Sequence, residues 1–402
     1  MGRVAELNGT DRVVVVGGGM AGAQAALGLR QGGWRGAVTL VGDEPHSPYD
    51  RPPLSKDVLL GKSDSTAFDI DWDHLGVELL PGRRAVGLRP GLLQLDGSTE
   101  LPYDALVIAT GAAPLALPGT EGAHLLRTLD DALALRALLT PGKRLVLVGA
   151  GWIGAETATV ARQLGCEVTV VEAGPAPLPG ALPAELGALM AAWYADAGIV
   201  LRCGAAVAGL EPGAVLLADG TRLDADEVVV GIGARPATGW LAGSGIDLDP
   251  GGAVLVDERL RTSLPGVWAA GDCTSYPSAR SGTRLTVQHW DHALQSGSAV
   301  AASMLGSDAP YDPVPYFWSE QFGRMVQYAG RHTDADRLLW RGTPADADWT
   351  VLWLRSDVLV AALSVDRPRD LNQARRLIDR ATRLDPARAA DPAVPLKAAA
   401  AD

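Results

Sequence analysis

Cysteine is scarce in this chain, with three residues in 402: Cys166, Cys203 and Cys273. None falls in a C-x-x-C or C-x-x-x-x-C spacing, so neither a zinc knuckle nor a local redox disulfide is encoded. Phenylalanine is as rare, 3 residues against 7 Tyr and 11 Trp, and most of the tryptophans are expected to be packing residues. Glycine or charge breaks every apolar stretch before it is long enough to cross a bilayer, so no membrane partner is expected. Residues 1–12 carry acid and lack the apolar core and small-residue cleavage site of a secretory signal, which points to the cytoplasm. Net positive charge is also missing: the formal charge of −12 argues against nucleic acid as a main partner.

What the chain does have is apolar material, 47% against 20% charged, which excludes disorder for most of its length. Its 48 glycines and 27 prolines signal many tight turns, and the length suits two or three domains. A β-branched run at 12–16 enters Gly17-Gly18-Gly19-Met20-Ala21-Gly22, then a helical stretch to Gln31 and a second strand ending at Gly42-Asp43-Glu44. A second copy opens at 145–148: Gly149-Ala150-Gly151-Trp152-Ile153-Gly154, a helix to about Leu164, and a strand closing on Glu172. One G-x-G-x-x-G is weak evidence, but a strand–turn–helix–strand context on both copies predicts two dinucleotide sites. In each, the first glycine (Gly17, Gly149) makes the turn, the second (Gly19, Gly151) admits a pyrophosphate, and the third (Gly22, Gly154) lets helix meet strand. The helix N-termini then face the phosphates, and Asp43 or Glu44, and Glu172, are placed to bind ribose diols. The motif residues Ala21, Trp152 and Ile153, and Gly231 at the end of a later buried strand, belong with these sites. The fold class predicted is α/β, with two Rossmann-like nucleotide domains and a C-terminal α+β domain.

These motifs resemble the two-dinucleotide flavoproteins of the glutathione-reductase fold. Ala109-Thr110-Gly111 matches that family's A-T-G turn, and the segment from Thr262 to Gly271-Asp272 its late flavin motif. The resemblance implies FAD at the first site, NADH at the second, and Asp272 on the ribityl chain. It also implies a domain order: FAD-binding 1–114 and 244–312, an inserted NADH-binding domain 115–243, and a C-terminal domain 313–402.

A narrower likeness follows. P-Y-D-R-P-P-L-S-K at 48–56 is similar to a segment of the bacterial ferredoxin reductases that serve oxygenases, and of apoptosis-inducing factor; disulfide-reducing cousins carry a redox cysteine in this neighbourhood. Tyr316-Phe317-Trp318-Ser319-Glu320-Gln321 resembles the family's F-W-S-[DE]-Q, which lays an aromatic ring by the flavin, making Trp318 a contact. Gln288-His289-Trp290 resembles the helix entry facing the pyrimidine end of the flavin. By the same resemblance Lys56 and Glu156 form an ion pair near the flavin–nicotinamide contact and are the catalytic candidates, while Arg51 suits a pyrophosphate by its forked donors. His289 and His292, three apart, lack the further ligands of a metal site, and no metal is expected. The family often has an Arg after the A-T-G turn; this chain reads Ala112-Ala113-Pro114-Leu115.

The implied activity is an NADH:ferredoxin oxidoreductase: hydride to FAD, then single electrons to a small acidic [2Fe–2S] ferredoxin that feeds a haem-thiolate or Rieske oxygenase. The partner binds transiently, the enzyme being a monomer or homodimer, with Arg280, Arg284 and Arg324 as docking candidates. A rubredoxin reductase and a redox-sensing interaction protein like apoptosis-inducing factor stay open as alternatives. A helix over 369–383 and a tail after Asp385 draped on the surface complete the expectations.

Overall fold

Four consecutive valines, all buried, form the strand Val13–Val16, as suits a strand covered on both faces. The computed structural model in which it lies describes residues 10–401; the leader reading rests largely on residues 1–9, outside the described residues. Val13–Val16 pairs in parallel with Val38–Val41 on one side and Ala105–Ile108 on the other. Val77–Leu80 and Val267–Ala269 complete a five-stranded sheet. Parallel neighbours need crossovers, and the helix Met20–Gln31 supplies the first.

A second parallel sheet repeats the plan with four strands, in the order Val200–Cys203, Glu167–Glu172, Arg144–Val148, Glu227–Val230. Its crossover helix Trp152–Gln163 buries Gly154, Ala155, Ala158 and Ala161, small side chains that let helix and sheet approach closely.

The third sheet is antiparallel, ordered Tyr316–Gln321, Arg324–Gly330, Val358–Val365, Trp349–Arg355, Arg337–Arg341. The helix Pro368–Asp379 packs on it through Leu371, Ala374, Leu377 and Ile378. The α/β class with two Rossmann-like sheets and a C-terminal α+β portion is therefore the architecture observed. By contacts the chain forms two units. One holds the first sheet, with Ser65–Ala113 and Ala234–Pro315; the other holds Pro52–Asp64, Pro114–Gly233 and everything from Tyr316.

Two C-terminal expectations are corrected. The last long helix stops at Asp379 rather than near 383, because Ala381 takes a left-handed φ of 48° and Arg383 then bridges to Val358. The tail is not draped on the surface: Ala389, Leu396 and Ala399 are fully buried. Arg341, 1% exposed, holds it by donating to the carbonyls of Ala389, Asp391 and Val394 while pairing with Asp370. Among the described residues no helix is long and apolar enough to cross a membrane.

Candidate active site

The two glycine turns are built alike. Gly17 N donates to Val41 O and Gly149 N to Val171 O, both at 2.7 Å. Gly17 and Gly149 have φ of 122° and 104°, and an added Cβ would strike a backbone oxygen at 2.1 and 2.4 Å, so both turns require glycine. Gly22 and Gly154 sit under the same restriction, against Gly17 O and Gly149 O. Gly19 and Gly151 differ. Their φ values, −83° and −77°, suit any residue, and a Cβ would come no nearer than 4.0 Å to Arg51 Nε and 3.9 Å to Gly231 O. Neither strain nor packing explains glycine there. Each caps a helix that no side chain caps, leaving open space and unpaired N–H groups of the kind a pyrophosphate needs. Both sites fit a dinucleotide.

The strand-end acids separate the two copies. Strand register pairs Val16 with Val41 and Val148 with Val171, so the counterpart of Glu172 is Gly42, one residue before Asp43. Glu172 is 8% exposed and accepts from Ala150 N at 2.8 Å and Gly174 N at 2.7 Å. It is a built carboxylate, not a solvated strand end. In the first copy, Glu44 is occupied: Oε1 takes Arg51 Nη2 at 2.7 Å and Oε2 takes Tyr49 OH at 2.5 Å. Asp43 is exposed, with only Arg84 near it at 3.7 Å. Of the two acids offered by the sequence, Asp43 is the one facing outward.

Around Gly19 gather Arg51 and Asp272. Burial works against the Arg51 charge, but Tyr49, Glu44 and Asp272 more than offset it and hold the guanidinium above its ordinary value. Thr110 Oγ1 donates to Ala237 O at 2.8 Å, and Gly111 O accepts from Ala237 N at 2.9 Å, tying the A-T-G turn to the returning chain. Gly271, at φ 78°, is gripped by the helix Trp290–Met304: its N–H donates to Ser296 Oγ at 2.9 Å and its carbonyl faces His292 Nε2 at 3.2 Å. His292 Nδ1 meets Tyr311 OH at 2.7 Å, so both ring nitrogens are engaged within the protein. Trp290 donates Nε1–H to Asp50 Oδ1 at 2.6 Å, and His289 precedes the helix as its N-cap residue with Gln288 before it. The indole of Trp290 thus holds Asp50 in place.

The sharpest cluster surrounds Glu156, which is 4% exposed. Its Oε2 accepts from Lys56 Nζ at 2.7 Å and from Ser55 Oγ at 2.5 Å; its Oε1 accepts from Ser319 Oγ at 2.7 Å. A carboxylate this dry needs its lone pairs filled, and three donors from two separate chain segments, 55–56 and 319, fill them. Lys56 also donates to Pro52 O at 3.3 Å, leaving one ammonium hydrogen uncommitted. Sequence reasoning did not single out Ser55, Ser319 or His292 as working residues; the serines stood inside quoted motifs, and nothing local marked them. Trp318 stacks on Tyr316 at 6.1 Å, and Trp152 sets its ring edge-on to Phe317 at 4.6 Å. Ile153 stays 44% exposed at the start of its helix, and Gly231 closes its strand beside the second turn.

The docking candidates make contacts of their own. Arg284 donates to the carbonyls of Val256 and Ser275, Arg280 to that of Asp312, and Arg324 lies over the Trp193 ring at 4.9 Å and pairs with Asp196. Each reaches a distant segment, and Arg284 stays exposed.

Two parallel sheets, each ending in a nucleotide cradle, with an antiparallel C-terminal sheet, define a reductase that binds two dinucleotides. Residues 11–297 match the family model described as pyridine nucleotide-disulphide oxidoreductase, and residues 316–400 the one described as reductase C-terminal. The ferredoxin reductase component of chlorobenzene dioxygenase from Cupriavidus sp. (strain PS12) is 37% identical over 392 residues, 94% of this chain and 95% of that protein. The ferredoxin–NAD(+) reductase component of the anthranilate 1,2-dioxygenase system from Burkholderia cepacia is 36% identical over 402 residues, 96% and 98% of the two chains. The crystal structure of the covalent putidaredoxin reductase–putidaredoxin complex matches with a TM-score of 0.92 at 34% identity, covering 97% of this chain and 98% of that one. The chain belongs to the pyridine nucleotide-disulphide oxidoreductase family, on its oxygenase-system ferredoxin reductase branch. It is a flavoprotein oxidoreductase whose cofactors are FAD and NAD(H).

Proposed function

We propose that this protein is a cytoplasmic NADH:ferredoxin oxidoreductase that supplies single electrons to a small [2Fe–2S] ferredoxin, and through it to a haem-thiolate or Rieske oxygenase. One observation carries the choice of acceptor. The family takes its name from disulfides, yet this chain has no redox cysteine pair: Cys166, Cys203 and Cys273 are all free, and Cys166 and Cys273 are buried. Burial raises all three thiols, Cys273 to about 11, which is the reverse of a reactive thiolate. Electrons that cannot pass to an internal disulfide must leave to an external carrier. The relatives above are reductase components of oxygenase systems, which supports a ferredoxin in that role.

Bound FAD would supply the chemistry that joins a two-electron hydride donor to one-electron acceptors. The residues do the holding and orienting. In this reading Gly17, Gly19, Ala21, Gly22, Asp43, Arg51, Thr110, Gly111 and Asp272 hold FAD, with Gln288, His289 and Trp318 at the ring end. Gly149, Gly151, Trp152, Ile153, Gly154 and Gly231 hold NADH, and Glu172 takes its adenosine ribose. Lys56 and Glu156 act at the ring contact. Glu156, accepting from Lys56 Nζ at 2.7 Å, fixes the position of the Lys56 ammonium.

Stopped-flow reduction by NADH, followed by cytochrome c reduction with and without a recombinant [2Fe–2S] ferredoxin, tests the assignment. We expect rapid reduction by NADH and cytochrome c turnover that depends on ferredoxin. Turnover that ferredoxin leaves unchanged would overturn it.

A further inference from the structure

We propose that the outer face of the helix Pro368–Asp379 is the surface on which the ferredoxin docks, an inference that rests on the function proposed above. The argument begins with charge. This chain carries −12, and ferredoxins are acidic as a class, so the two repel at long range unless a local basic surface meets the partner. Several surface arginines here are already tied to carboxylates of their own chain, as Arg12 is to Asp104, Arg144 to Asp226 and Arg337 to Asp357.

Arg369, Arg376 and its C-cap residue Arg380 differ. All three are exposed, and none makes a side-chain hydrogen bond or ion pair. They lie seven and four residues apart, which at 3.6 residues per turn puts them within about 40° of one another, in a stripe roughly 16 Å long. The opposite face, Leu371, Ala374, Leu377 and Ile378, is spent on the sheet. No other helix or strand among the described residues carries three arginines of this kind. Helix stability explains only part of the stripe. Arg376 and Arg380 sit at the C-terminal end, where cations are favoured, but Arg369 stands in the first turn, where a cation is disfavoured. The helix dipole therefore does not account for Arg369.

The stripe is also next to an aromatic path. Arg375, adjacent to Arg376, lays its guanidinium over the Tyr316 ring at 4.1 Å, and Tyr316 stacks on Trp318. A partner held on the ridge therefore lies beside the strand that carries the F-W-S motif.

The test replaces Arg369, Arg376 and Arg380 together by Gln, a good helix former, and compares this with an equal charge change elsewhere, Arg35, Arg89 and Arg222 to Gln. NADH-driven cytochrome c reduction is measured through a recombinant acidic [2Fe–2S] ferredoxin over a range of salt. We expect the ridge variant to raise the ferredoxin KM by about tenfold or more at low ionic strength, and to converge on the unmodified protein at high salt. Its rate of reduction by NADH alone, read by stopped flow, should be unchanged. An unchanged KM and salt dependence, or an equal shift in the control triple, overturns the ridge while leaving the function standing. Failure of the unmodified protein to reduce any ferredoxin, despite rapid reduction by NADH, overturns both.

Discussion

Ser319 Oγ donates to Glu156 Oε1 across 2.7 Å, joining a strand of the C-terminal sheet to the second nucleotide helix. Glu156 is thereby held from both oxygens, by Ser319 on one and by Lys56 and Ser55 on the other. A buried ion pair persists only when the lone pairs it leaves behind are satisfied, and the two serines do this.

Replacing Lys56 by Ala should slow reduction by NADH at least about tenfold, roughly 1.4 kcal/mol of barrier, while FAD content per mole of protein is retained. The cause is that Lys56 bonds Glu156 and Pro52 rather than the first glycine turn. Stopped-flow rates and absorbance ratios of the purified variant measure the two effects separately. Lost FAD with an unchanged rate would make Lys56 a cofactor anchor instead.

Nicotinamide choice should follow Glu172. Its carboxylate is fixed by Ala150 N and Gly174 N, and a 2′-phosphate brought against it would meet like charge in a poorly solvated place. Ala173 and Gly174 provide no cation to compensate. NADH is expected to exceed NADPH in kcat/KM by on the order of tenfold, a difference of only about 1.4 kcal/mol. Glu172→Ala combined with Ala173→Arg should narrow or reverse the preference. Equal efficiencies in the unmodified protein count against the assignment.

Arg341→Met should destabilise the C-terminal portion by about 3–5 kcal/mol, since it strands buried Asp370 and three carbonyls of the tail. Limited proteolysis should then cut first beyond Asp385, and chemical denaturation should show a lower midpoint. A shift under about 1 kcal/mol would mean the tail is held by its apolar residues alone.

His292 predicts an acid limb of stability. Burial lowers it to about 4, between the Tyr276 ring, Tyr311 and the Gly271 carbonyl. The unfolded chain titrates near 6.5, so below that pH the unfolded state binds the extra proton. The His292 contribution is therefore complete above about pH 6.5 and is lost as pH falls toward 4, by up to about 3 kcal/mol. Urea midpoints across this window should fall, and His292→Gln should flatten the fall. An identical slope in the variant would assign it to other groups.

Both glycine turns and both nucleotide helices were legible in the chain because a tight turn between strand and helix is a local event. It depends on a few consecutive backbone torsions and on which residues tolerate them, and those residues sit side by side. The strand-end acid at Glu172 was legible for the same reason. What surrounds a charged side chain is not local. Glu156 meets donors 100, 101 and 163 residues away, and no periodicity or spacing announces that Ser55 and Ser319 will arrive there. Only the fold could choose between Asp43 and Glu44, because Arg51 and Tyr49 had to fold back to occupy one of them. Only the fold, too, could give Arg280, Arg284 and Arg324 partners in distant segments and leave Arg369, Arg376 and Arg380 without any. Turn chemistry is written residue by residue, whereas the pairing of long polar side chains is settled by whichever distant segments the packed chain brings within 3 Å.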